Sequence, residues 1–199
     1  MITQIGDDFM SKTEYFNFCQ KLAFHAAPTL LGIKCASLVS LSASEFDLDF
    51  HSAYFNRRAS SKGLKSKILC CCGNRKLMLV YSEEKLAKRL SDNGVQKVLQ
   101  KYGYPNNSYI SENLDRLTER IKKCGDFPHE IGVFLDYPIE DVEGFIKNKG
   151  ENFKMCGCWK VYGSEEKAKR TFENYSKCRK FLCSKLIENP DIYRVLKIS

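Results

Sequence analysis

The side chains best suited to chemistry in this chain are its three histidines and ten cysteines. His25 ends an apolar helical stripe containing Phe18 and Leu22, and Pro28-Thr29 follows. That places it in a last helical turn, where a cation is favoured. His129 follows Pro128 and precedes Glu130, an order expected to open a helix and present an imidazole to a cleft, with Glu130 or Glu140 to orient it. Lys34 and Lys160 add cations, and Trp159 and Tyr162 add flat stacking surfaces. The expectation is a site for a small anionic ligand or for general acid–base work: His25, His129 and Glu130 catalytic, with Lys34, Trp159, Lys160 and Tyr162 holding the ligand. The competing reading is structural, with each histidine making one satisfied hydrogen bond in a packed core.

The cysteines offer a second chemistry. In strands, residues i and i+2 face the same side, so Cys70 and Cys72 share a face, as do Cys156 and Cys158. If those strands paired in register, four thiolates would converge on a tetrahedral site suited to zinc or iron–sulfur. The CxxC spacing is missing, however, and cysteine is a common buried strand residue, so core thiols are the favoured reading and no metal is assigned. GxGxxG, Walker, GxSxG and HExxH signatures are absent, and His129-Glu130 lacks the second histidine of a zincin helix. The sequence assigns no cofactor and no reaction.

The elements that would position these groups follow from local signals. Ser11-Lys12-Thr13-Glu14 is a capping box for a first helix carrying Tyr15, Phe18, Cys19 and Leu22. That helix should stop before Pro28. Residues 30–41 are apolar and rich in small side chains, with Gly32 leaving their type open, and the length of 45–60 favours a helix. Residues 67–72 and 76–81 flank Gly73-Asn74-Arg75 and predict a β-hairpin. Ser82 caps the next helix. Further helices are predicted at 95–102, 111–123 and 139–147, a strand at 153–162, and a long helix from Ser164-Glu165-Glu166 to about 188. Phe172, Tyr175, Phe181, Leu182 and Leu186 are its candidate core residues. The fold class is α+β: a small antiparallel sheet, hairpin 67–81 plus strand 153–162, covered by several helices in one domain spanning 1–199.

Composition narrows the class. With 43% apolar and 28% charged residues, 12 Gly and 5 Pro, the chain is neither disordered nor collagen-like. No apolar run reaches the about 18 residues needed to cross a bilayer. Residues 1–10 carry Asp7 and Asp8 and no basic residue, unlike a signal peptide, so reduced thiols and a cytoplasmic location are expected.

The net charge of +8 falls in blocks of −3 (residues 1–56), +8 (57–89), −4 (90–146) and +7 (147–186). Both basic blocks contribute strands to the predicted sheet, so one positive face is expected at Arg57, Arg58, Lys62, Arg75 and Lys76, extended by Lys154 or Lys160. Such a face would dock an acidic protein, for instance a redox partner, in a salt-sensitive way. A nucleic-acid binder using residues 57–75 with Tyr54, Phe55 and Tyr81 ranks third, because no recognition motif accompanies a pI of about 8.9.

Several oligopeptides carry a resemblance: HAAPTL (25–30), GYP (103–105), FPHEIGVFLDYP (127–138), EDVEGFIKNKG (140–150) and CGCWKVYG (156–163). In this order they resemble an uncharacterised family of domains of unknown function from anaerobic clostridia and relatives, over about residues 16–186. The resemblance implies no reaction and no catalytic residue. Two positions depart from its pattern, Asp136 where Gly is expected and Cys35 where Pro is expected, and the Cys70–Cys72 run lies outside it.

Overall fold

A computed structural model of the chain describes residues 11–106, 108–123 and 127–198, with the side chains of Cys71 and Cys72 left out. The acidic segment 1–10 and Cys124 therefore lie outside the described residues. Ser11 caps α1 (Lys12–Leu30) by accepting the Glu14 N–H. Contrary to the sequence expectation, α1 runs through Pro28. A proline within a helix removes the N–H that would bond the carbonyl four residues back. Here that carbonyl, Phe24 O, accepts instead from Arg179 Nε at 3.0 Å. Pro28 O in turn accepts the N–H groups of Ile33 and Lys34 (2.7 and 3.1 Å), which reverses the chain into β1 (Ala36–Ser42).

β1 is the strand hidden in the segment whose type the sequence left open. β2 (Leu64–Cys72) and β3 (Arg75–Ser82) form the predicted hairpin, with Cys72 opposite Arg75. Gly73, at φ 56°, takes the first loop position, as a type II′ turn requires. The sheet is antiparallel with order β1-β3-β2.

Residues 153–162 do not join this sheet, which corrects the expected topology. They form their own ribbon of β4 (Met155–Cys156) and β5 (Lys160–Val161). Gly157-Cys158-Trp159 turns the chain after two residues, too soon for the alternating pattern to extend into a long strand.

Alternation along β3 sends Met78 and Val80 to one face and Leu79 and Tyr81 to the other. The first face packs on α1, α2 (Leu48–Ala59), α8 (Glu165–Glu188) and α9 (Ile192–Val195), through residues such as Phe18, Phe55, Leu182 and Tyr193. The second packs on α3 (Glu83–Leu90), α4 (Asn93–Gln100), α5 (Ile110–Lys123) and α6 (Ile131–Phe134), through Leu86, Val98, Leu117 and Phe134. Both faces are covered, so the architecture is α+β as expected. Phe181, an expected core residue, is 52% exposed on α8.

The third histidine belongs to this framework. His51 is 1% exposed and stacks on Phe18 at 3.9 Å. Its Nε2–H donates to Glu14 Oε1 at 3.0 Å, and the same oxygen accepts the Asp47 N–H. Burial lowers the His51 pKa, outweighing the opposing pull of Glu14 and Asp47. The unfolded chain, with an ordinary histidine pKa of about 6.5, therefore takes up the proton first as pH falls. The stability His51 contributes is complete above that value and is lost below it. His51→Gln keeps an N–H donor but cannot titrate. Its melting temperature should fall less between pH 7 and pH 5 than that of the parent, and parallel profiles would contradict this assignment.

Candidate functional site

The site is built on α7 (Ile139–Lys147), whose first turn carries Asp141. This carboxylate is 3% exposed. Its Oδ2 accepts the Trp159 indole N–H at 2.7 Å, and its Oδ1 accepts the N–H groups of Tyr162 and Gly163, each at 2.7 Å. The β4–β5 ribbon is thereby fastened to α7. Two glycines permit the close approach: a Cβ on Gly144 would stand 2.4 Å from the Tyr162 ring, and one on Gly157 would stand 2.2 Å from the Phe172 ring.

The ribbon closes a cavity of about 300 Å³. Its apolar wall includes Ile131, Tyr137, Val142, Phe145 and Trp159. His129, Cys156 and Lys160 are its polar side chains besides Asp141, whose oxygens are already engaged. His129 is exposed and meets the Phe145 ring edge-on at 4.9 Å. Lys160 Nζ donates to Gly150 O at 2.7 Å and lies over Phe153 (4.7 Å) and Phe145 (5.9 Å). Trp159 is 8% exposed, stacked on Tyr137 at 4.7 Å and edge-on to Phe172 at 4.5 Å. Cys156 pairs with Lys160 across the ribbon, which puts the two side chains on one face.

The structure thus joins His129, Trp159 and Lys160, and it separates the rest of the expected set. Glu130 is fully buried, and its carboxylate is taken by the Arg120 guanidinium and the Tyr104 hydroxyl (3.1 Å), so it does not orient His129. His25 lines no part of the cavity. Because α1 continues to Leu30, His25 is not in its last turn, and burial together with Lys21, Arg179 and Arg75 lowers its pKa. Lys34 is buried between two tyrosine rings, and the Tyr162 hydroxyl donates to Glu151 O at 3.0 Å.

The thiols do not converge either. Cys70 is buried in β2, while Cys156 lies in the separate ribbon and Cys158 in its turn; the Cys72 side chain is outside the described residues. Among the described residues, no group of three or more His, Cys, Asp or Glu side chains is placed to hold a metal.

The ground for extending the expected basic face to Lys160 falls away, because the ribbon carrying it is not part of the main sheet. Lys76 pairs with Asp49 at 2.6 Å, and Arg75 donates to Ser40 Oγ and O. Arg58 lies over Tyr193 and donates to the Tyr54 hydroxyl and Ile198 O. Arg57 and Lys62 remain exposed.

The two positions expected to depart from the resembled pattern, Cys35 and Asp136, meet. Asp136 takes φ 62°, and its Oδ2 accepts the Cys35 N–H at 3.2 Å. A proline at 35 would bring no N–H, and a glycine at 136 would adopt this backbone freely. Cysteine adds the donor, and aspartate adds its acceptor.

Residues 22–196 match the model of a protein family of unknown function, DUF3793. The chain belongs to this family. Every residue lining the cavity falls within the stretch matched to DUF3793, and three of the oligopeptides singled out in the sequence, 127–138, 140–150 and 156–163, contribute to it. No curated protein and no solved structure matches the chain. No helix among the described residues is long and apolar enough to cross a membrane.

Asp141→Asn replaces one accepting oxygen by an NH2 group and removes the charge from the remaining bonds. It should cost about 2–3 kcal/mol and shift Trp159 emission towards that of a solvated indole. Unchanged emission together with an unchanged denaturation midpoint would contradict the fastening role.

Proposed function

We propose that this chain binds a small ligand with a flat apolar body and an anionic group in the cavity between α6, α7 and the β4–β5 ribbon. The observation that supports this most is the lining: aromatic and aliphatic walls with His129, Lys160 and Cys156 as polar side chains open to a ligand, two of them nitrogen groups suited to an anion. Ligand sites have this composition, and their volumes begin at roughly 300 Å³. Trp159 and Phe145 both line the cavity with aromatic rings. The Lys160 ammonium has three donors and spends one on Gly150 O, so donors remain for a carboxylate. Trp159 is fixed through Asp141 before any ligand arrives, which lowers the ordering cost of binding. The reading is one of binding; it assigns no reaction.

Trp159 is the chain's single tryptophan, so its fluorescence reports on this wall directly. Titration with phenylpropionate, benzoate and octanoate should give a saturable change, strongest for the aromatic acids, and phenylpropanol should bind more weakly. Lys160→Met should weaken phenylpropionate about tenfold, equivalent to about 1.4 kcal/mol, with a melting temperature close to that of the parent. Absence of any saturable change, or equal affinity for acid and alcohol, would overturn the reading.

A further inference from the structure

A second cleft, of about 650 Å³, lies among β2, β3, α3 and the start of α5. Lys67 on β2 pairs with Asp115 on α5 at 2.5 Å. Ser111, one turn before Asp115, and Lys65, two residues before Lys67, both line the cleft. The first backbone bond of α5 runs from the Asn113 N–H to Tyr109 O, and among the described residues the N–H groups of Ile110, Ser111 and Glu112 meet no acceptor. Free donors at the positive end of a helix dipole favour an anion there. Tyr81 points to a ligand independently. It is 8% exposed, and among the described residues its hydroxyl has no hydrogen-bond partner. Its oxygen is not sealed in the core either, so it opens onto the cleft that the residue lines. A tyrosine hydroxyl this deep normally finds a partner. Lys65 Nζ stands 2.8 Å from Glu83 Oε1, which leaves the ammonium two donors and the carboxylate a second oxygen.

We propose that this cleft binds a sugar phosphate, with the phosphate at the N-terminus of α5 beside Lys65 and the sugar hydroxyls on Tyr81 and Glu83. The mixture of groups selects this class. A bare anion would meet the Glu83 carboxylate as a like charge, whereas a hydroxyl donates to it. The Tyr81 hydroxyl both donates and accepts, so it serves either a sugar hydroxyl or a phosphate oxygen. A site built to hydrogen-bond hydroxyls discriminates strongly against ligands that lack them, because its own polar groups are then left unpaired. The volume lies within the range of small-ligand sites. No residue lines both this cleft and the cavity beside α7, so the two readings stand or fall separately.

The test follows amide resonances of the full, nitrogen-15-labelled chain during titration with ribose 5-phosphate, glucose 6-phosphate, inorganic phosphate and glucose. A sugar phosphate should move the amides of Ile110, Ser111 and Glu112 saturably and bind more tightly than inorganic phosphate or glucose. The Trp159 indole resonance should stay in place, which separates this cleft from the other cavity. Lys65→Met should weaken the sugar phosphate about tenfold, in proportion to a lost charged donor. Tyr81→Phe removes only an oxygen without a partner, so it should weaken binding about fivefold while the melting temperature stays close to that of the parent. No saturable shift with either sugar phosphate, sugar phosphates binding no more tightly than inorganic phosphate, or unchanged affinity in Tyr81→Phe would overturn the proposal.

Discussion

The Asp141 carboxylate is the interaction on which the candidate site depends. A charge removed from water costs several kcal/mol unless hydrogen bonds replace its hydration. Asp141 receives three such bonds, from one indole and two backbone amides, and it sits in the first turn of α7, where the helix dipole favours an anion. A ribbon with two residues per strand could not stand alone in water. Held by this carboxylate, it presents Trp159, Lys160 and Cys156 as one wall of the cavity. The apolar contacts of Trp159, Val161, Ala168 and Tyr175 then seal the ribbon against α8.

The same logic, a side chain answering for an irregular backbone, recurs elsewhere. Pro28 leaves the Phe24 carbonyl without its helical donor, and Arg179 reaches across from α8 to supply one. That contact ties the two long helices together at the point where α1 must end and turn into the sheet. Asp136 holds a left-handed conformation and accepts the Cys35 amide, linking the start of β1 to the turn after α6.

The sequence made the local elements legible where a single signal decided them. Ser11, Ser82 and Ser164 mark three helix starts through their side-chain caps, and the Gly73-Asn74 turn marks the hairpin. What it missed depended on partners distant in the chain. Pro28 reads as a helix stop because the Arg179 that compensates for it lies 151 residues later. Residues 36–42 read as neither helix nor strand because Leu38 beside Val39 interrupts the polar–apolar order, so that the sequence alternates only over Val39–Ser42 although burial alternates from Ser37 onward. His129, Trp159 and Lys160 were recognisable by type and fall together. Glu130 was misread, because nothing local announces that Arg120 and Tyr104 claim its carboxylate. Asp141 carries no local signal of its role, and the one hint is a tryptophan N–H downstream in need of an acceptor.

The central claim, that one buried carboxylate fastens the ribbon and so shapes the cavity, is tested most directly by amide hydrogen exchange at Tyr162 and Gly163. Both lie outside the β4–β5 pairing, so protection there comes from Asp141 Oδ1. The account predicts that both amides exchange far more slowly than the loop amides around them, and that Asp141→Ala, which leaves no side-chain acceptor, abolishes this protection while amides in β3 stay protected. Exchange of Tyr162 and Gly163 at the rate of open loop amides in the unaltered chain would contradict it.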